Sequence, residues 1–275
     1  MPDILDIDPM QKYMCFCVGP NGTGKSIAIA SWMDLGSVYF FDFDGRMNSV
    51  ANWYKKRGLK SGQLLYDTYG PENLYDAVIK MKEFTQSCPH AAIVIDSFTA
   101  ATITAVTFSM YRRMAGGQGS KDYPKLTKGD MLVPDWDEWN GEAMYVTMLL
   151  DMCKQIAARG TAVFWTGHPV QRMNIKLEGR TQVITYQTKL AAFGHKSDSL
   201  VPIYFNEIYA FYNETDLSTG KISRICQTQP FGEIAAKTAL DLPVKLDWTD
   251  ANFHQVFLAN LGRKEQINEV KKVTF

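Results

Sequence analysis

The sequence has no run approaching about 18 apolar residues, so no helix of membrane-spanning length is expected. Its first residues, Met1 to Asp8, are acidic and have no apolar run behind a basic start, which does not fit a secretory signal. These two absences together lead to the expectation of a cytoplasmic protein. The chain also lacks a charge excess: Lys+Arg is 29 and Asp+Glu is 29. A tail-like or histone-like nucleic-acid binder is thereby excluded, while local basic loops stay possible. Cysteine is sparse, with five scattered residues and no CxxC pair, which speaks against a zinc site. Cys15 and Cys17 are two apart in a strand-like run, too close to bridge without distortion, so the cysteines read as reduced core residues. Twenty glycines and eleven prolines are an average complement, which excludes collagen-like and low-complexity chains.

What the chain does have is 275 residues, 46% of them apolar and 12% aromatic, enough for a substantial core. Apolar runs read as buried strands at Tyr13–Val18, Ser37–Phe43, Ala91–Ile95 and Thr161–Thr166, with a further short strand at Gln63–Tyr66. Helical patterns fall between them: Lys25 to Asp34, Pro71 to Gln86 with proline in the first turn, Ser97 to Met114, and Trp136 to Arg159. Strands alternating with helices predict an α/β domain with a largely parallel sheet. Ile203–Tyr212 and Lys221–Gln227 read as an antiparallel pair that extends it. Val170 to Lys189 reads as a polar hairpin or mobile loop. Ala115 to Asp135, rich in glycine, proline and lysine, reads as a long loop, and loops of that length are usually functional. Thr249 or Asp250 is expected to cap a final helix ending at Gly262. The expected organisation is an extension over 1–12, a core over 13–240, and a C-terminal helix and charged tail over 241–275.

The strongest signal is Gly19-Pro20-Asn21-Gly22-Thr23-Gly24-Lys25-Ser26, a full G-x-x-x-x-G-K-[ST] motif between an apolar strand and a helix. Glycines let backbone N–H groups wrap a phosphate, and the helix N-terminus adds favourable partial charge. Lys25 would reach the β- and γ-phosphates of ATP, and the Ser26 hydroxyl would bind Mg²⁺. Ile27 completes the nucleotide-binding stretch. Ala91–Asp96 is an apolar strand ending in a carboxylate, the Walker B pattern, which makes Asp96 the second Mg²⁺ residue. Asp96 would otherwise serve, with Ser97, as a helix cap. The spacing leaves room for a strand between those of the phosphate loop and of Asp96. Ser97 stands where many related ATPases carry a glutamate base. Another acid is needed, and Phe40-Phe41-Asp42-Phe43-Asp44-Gly45 offers Asp42 and Asp44 on one face of a strand.

Taken in order, GPNGTGKS, FFDFDG, IVIDSFT, FWTGH and FGHKSDSLVPIYFNEIYAF resemble the phage-encoded RecA-like ATPases grouped with single-strand annealing proteins of the Sak type. The resemblance covers about residues 13 to 240. It implies a RecA-like P-loop core, ATP and Mg²⁺, single-stranded DNA as partner, and a homo-oligomeric ring or filament with ATP at subunit interfaces. By position it makes Asp44 the acid that orients the attacking water, His168 the γ-phosphate sensor, and Lys196 the cation reaching a neighbouring subunit's phosphate. The family acid is usually Glu; Asp is one methylene shorter, and a reach about 1 Å short can cost about a hundredfold in rate. Asp42 stays open as the alternative acid.

Single-strand binders combine cations with aromatic stacking platforms. Candidates are Arg112, Arg113, Lys121, Tyr123, Lys125, Lys128 and Trp136 around the first loop, and Arg172, Lys176, Arg180, Tyr186 and Lys189 in the second segment. Both could equally be solvated surface. A helicase-like or packaging motor shares these features. A small-molecule P-loop kinase needs an acceptor pocket and an arginine-rich lid, and the 170–189 segment has only two arginines. A nucleotide-gated structural protein that barely hydrolyses ATP is kept open by Asp44 in place of Glu.

Overall fold

The protein is described from a computed structural model, which covers residues 12–58, 60–114, 136–178, 181–190, 203–230 and 236–261. Strands β1 (Met14–Val18), β2 (Val38–Asp42), β3 (Leu64–Thr68), β4 (Ala92–Asp96) and β5 (Ala162–Gly167) alternate with helices. These are α1 (Lys25–Ala30, continued by a 3-10 turn over Ser31–Asp34), α2 (Met47–Lys55), α3 (Leu74–Gln86), α4 (Phe98–Met114) and α5 (Trp136–Ala157). A two-stranded ribbon, β6 (Pro169–Glu178) and β7 (Thr181–Leu190), follows β5 directly. Then come β8 (Glu207–Thr215), β9 (Ile222–Gln227), β10 (Lys245–Asp247) and α6 (Phe253–Asn260).

The main sheet has eight strands in the order β10-β9-β8-β1-β5-β4-β2-β3. From β8 to β3 every pairing is parallel, while β9 runs antiparallel to β8 and β10 to β9. This is the α/β architecture expected from the sequence, a mostly parallel sheet flanked by helices and extended by an antiparallel hairpin. One strand, β5, lies between the phosphate-loop strand β1 and the Asp96 strand β4.

Parallel strands covered on both faces should be apolar throughout, and β1, β2, β4 and β5 are buried along their whole length. Alternate residues feed two cores. On one face Phe16, Phe41, Ile95 and Trp165 pack with α3, α4 and α5. On the other, Cys15, Phe40, Val94 and Phe164 pack with α1, α2 and α6. Fully burying an aromatic of this size contributes about 1.5–3 kcal/mol each, so the sheet centre is a rigid base for the loops at its carboxyl edge.

Three expectations need correction. Pro71 does not open α3; residues 71–73 form a turn and the helix starts at Leu74 with Asn73 as its cap. The last helix is capped by Asn252, whose side chain accepts from the N–H groups of His254 and Gln255, and not by Thr249 or Asp250. Thr249 is engaged elsewhere, accepting from the Arg224 N–H and donating to Asp247. The hairpin strand begins at Glu207, because residues 203–204 make a helical turn. Val170 to Lys189 is the hairpin alternative, not a loop.

Candidate functional site

Gly19 to Gly24 leaves β1 as a loop whose N–H groups need free backbone torsions, and Gly22 and Gly24 adopt φ of 80° and 87°. The loop is braced internally, with Thr23 Oγ1 donating to the Pro20 carbonyl at 3.0 Å. It is also braced from outside. A Cβ on Gly19 would meet the Phe211 carbonyl oxygen at 2.2 Å, and one on Gly24 would meet the Trp248 ring at 2.7 Å. Lys25 is buried, and its Nζ donates to the carbonyls of Gly19 (2.7 Å) and Pro20 (3.0 Å). Burial lowers its basicity, partly countered by Asp96, Cys17 and Asp44.

Asp96 ends β4 and is buried. Its carboxylate accepts from the hydroxyl of Ser26 at the start of α1 and from Thr166 Oγ1 at 2.5 Å, near the end of β5. Burial still holds its pKa above the ordinary carboxylate value, against those two hydrogen bonds, and the nearby Asp44 and Asp42 add to the rise. Ser26 and Asp96 thus form a hard oxygen pair in a site crowded with negative charge. That donor set fits Mg²⁺, which is usually held by one or two carboxylates plus substrate phosphates. Among the described residues, no cluster of three or more His, Cys, Asp or Glu could hold a metal alone.

The two acids after β2 have different surroundings. Asp42 is buried and its Oδ1 accepts from the Arg46 N–H at 3.3 Å, with Gly45 and Met47 N–H groups also bonding the carboxylate. It fastens the turn into α2. Asp44 lies past the strand end, where the N–H groups of Phe43 and Asp44 both reach the Asp96 carbonyl, at 2.6 and 3.3 Å. Its Oδ1 accepts from Ser97 Oγ at 3.0 Å, and its Oδ2 lies 3.9 Å from His168 Nε2. Burial pushes the Asp44 carboxyl up, but His168, Ser97 and Arg46 outweigh it and hold the group below its ordinary value. Asp44 is therefore an ionised, oriented carboxylate beside the phosphate loop, whereas Asp42 is occupied in the backbone.

The sheet thus brings Lys25, Ser26, Asp44, Asp96 and His168 to one edge, at the ends of β1, β2, β4 and β5. Carboxyl ends of parallel strands are where such sheets bind ligands. Lys196, Lys121, Tyr123, Lys125, Lys128 and Arg180 lie outside the described residues. Arg112 and Arg113 fall in the last turn of α4, Trp136 begins α5, and Arg172, Lys176, Tyr186 and Lys189 fall in the ribbon. The ribbon register pairs Arg172 with Gln187, Lys176 with Val183 and Val170 with Lys189, so these three cationic positions, two on β6 and one on β7, share one face.

Sequence reasoning missed Thr166, Arg46 and Trp248. Thr166 was visible as the polar residue ending an apolar strand, next to His168. Arg46 Nη1 donates to Asn21 Oδ1 at 3.4 Å, a contact across 25 residues that no motif announces. Trp248 comes from beyond the expected core and gives no local signal.

No protein-family model and no curated protein matches the sequence. Among solved structures, the flagellar accessory protein FlaH from Methanocaldococcus jannaschii is similar, with TM-score 0.43 and 13% identity over 86% of this chain and 85% of that one. A KaiC-like protein from the archaeon Pyrococcus horikoshii gives TM-score 0.42 and 11% identity, over 88% of each chain. No helix among the described residues is long and apolar enough to cross a membrane.

Proposed function

We propose that this protein is an Mg²⁺-dependent ATPase that acts on single-stranded DNA in phage recombination or strand annealing. The observation that carries the ATPase part is the convergence of Lys25, Ser26, Asp96 and the His168-flanked Asp44 on one phosphate loop. In hydrolysis, the oxygen of a water held by Asp44 attacks the γ-phosphorus. The bond from that phosphorus to the bridging oxygen breaks, ADP keeps the electron pair, and a water proton passes to solvent or to Asp44. Lys25 exchanges its loop carbonyls for phosphate oxygens, which are stronger acceptors for an ammonium. Mg²⁺, held by Ser26 and Asp96, would neutralise phosphate charge. Asp44 is short for this task, and the hydrogen bond from Ser97, with the His168 ring 3.9 Å from its other oxygen, holds it in one orientation, which favours a water-positioning role.

The single-stranded DNA part rests on the family resemblance and on the cationic positions that share one face of a ribbon starting one residue after His168. A ligand on that ribbon and a γ-phosphate beside His168 would be joined through a single strand end. ATP turnover with and without single-stranded DNA, together with the oligomeric state with ATP, tests the reading. Stimulation and assembly support it. Turnover only with a small phosphate acceptor would replace it by a kinase.

A further inference from the structure

The space for a γ-phosphate is bounded on one side by the phosphate loop with Lys25 and on the other by the acid that orients water. One side chain borders both walls. Arg46 follows Asp44 by two residues, through a turn at Gly45 with φ of 65°. Its backbone is anchored by Asp42, which accepts its N–H at 3.3 Å. Its guanidinium crosses to the outer lip of the phosphate loop and donates to Asn21 Oδ1 at 3.4 Å. The arginine is exposed, and Asn21 is a neutral acceptor at long distance. Such a bond is exchanged at little cost for a charge-assisted one.

We propose that Arg46 is a catalytic residue of this chain, whose guanidinium leaves Asn21 to bind the γ-phosphate between the phosphate loop and Asp44. The inference rests on the ATPase reading above and adds to it a cation supplied in cis. Three carboxylates, Asp42, Asp44 and Asp96, crowd this edge, and Lys25 is buried against loop carbonyls. Charge moving onto the bridging and γ-oxygens as water attacks and the bridging bond breaks needs a further cation on the open side. A planar guanidinium suits two phosphate oxygens at once. An arginine in this role is worth about 10³–10⁵ in kcat in related phosphoryl-transfer sites. Because it comes from the same chain, its effect does not depend on assembly.

The test compares Arg46→Ala, Arg46→Lys and wild type by affinity for ADP, affinity for ATPγS, and ATP turnover at saturating ATP and Mg²⁺. The expected result for Arg46→Ala is unchanged ADP affinity and ATPγS affinity weakened about tenfold, the value of one charge-assisted hydrogen bond. Its turnover should fall by about 10³. Arg46→Lys should restore part of both, and free guanidinium should raise the turnover of Arg46→Ala only. Asp44→Asn should lose turnover yet keep the wild-type preference for ATPγS over ADP. If ADP and ATPγS affinities fall together, Arg46 braces Asn21 and the proposal is overturned. Unchanged turnover and unchanged preference overturn it as well. If wild type itself does not hydrolyse ATP, the ATPase reading fails, and the ATPγS-to-ADP comparison still decides whether Arg46 faces the third phosphate.

Discussion

His168 Nε2 stands 3.9 Å from Asp44 Oδ2, joining the strand that precedes the ribbon to the turn that follows β2. On the other oxygen Asp44 accepts from Ser97. Asp42, two residues earlier, has its carboxylate bonded to backbone N–H groups instead.

The two acids should therefore fail differently. Asp44→Asn should lower kcat by about 10²–10⁴, the usual contribution of a positioned acid or base, with little change in ATP affinity. Asp42→Asn should mainly cost stability, about 1 kcal/mol or somewhat more, because a buried carboxylate that caps a turn is weakened. Steady-state kinetics and urea melts on both variants separate the roles. Normal hydrolysis by Asp44→Asn with a dead Asp42→Asn would reverse them.

Lys25→Ala should abolish ATP turnover while the protein stays folded. The lysine bonds two loop carbonyls and lies at the edge of the core, not in it. Circular dichroism should be unchanged, and nucleotide-dependent thermal stabilisation should disappear.

Gly19→Ala should weaken nucleotide binding and lower the melting temperature together. The added methyl would sit 2.2 Å from the backbone oxygen of Phe211, so the loop or β8 must shift. Overpacking of this kind costs about 1–3 kcal/mol. Wild-type ATPγS affinity in this variant would show that the loop tolerates displacement.

His254 should make stability depend on pH. Burial holds the ring below its ordinary pKa, although Asp34 Oδ2 at 3.6 Å pulls the other way. The unfolded chain takes up the proton first, at about pH 6.5. Stability is thus fully present above that value and is lost as pH falls through the lower folded value. Urea melts from pH 7.5 to 5 should show a decline that is flatter in His254→Gln.

If single-stranded DNA lies on the ribbon, Arg172→Ala with Lys176→Ala should flatten the log–log salt slope by up to about 1.4 units, at about 0.7 per phosphate. Replacing Lys121, Lys125 and Lys128 together should flatten it by up to about 2 by the same rule. Tyr123→Ala should weaken binding with little change in slope, since stacking contributes about 1–3 kcal/mol per base without releasing counterions. Fluorescence anisotropy across a salt series reads all three. Full wild-type slopes in both charge variants would move the DNA elsewhere.

Local chemistry made much of this legible. Uninterrupted apolar runs mark β1, β2, β4 and β5 because strands covered on both faces leave no solvent side to alternate with. The phosphate loop and Asp96 are local patterns at strand ends. Contacts between distant segments left no such trace. Thr166 on Asp96, Arg46 on Asn21 and Trp248 on Gly24 are each set by the tertiary arrangement. The Asn252 cap was missed because Thr249 and Asp250 are equally good capping residues by type, and the observed use of Thr249 on Arg224 decides against it.

Strand β1 sits in the middle of the sheet, yet its partners are β5, with Met14 opposite Val163, and β8, with Cys15 opposite Glu207. On the ribosome the first of the described strands to be made is thus among the last of them to be paired. The strands β2, β3 and β4 can zip together early, since they neighbour one another. Meanwhile MCFCV, with two thiols, waits as an unpaired apolar segment until β5 has been synthesised. Long-range parallel pairing is slow and leaves such segments open to aggregation. The brace on Gly24 by Trp248 comes later still. A nucleotide therefore has no finished seat during synthesis, and chaperone demand during expression should concentrate on the N-terminal apolar strand.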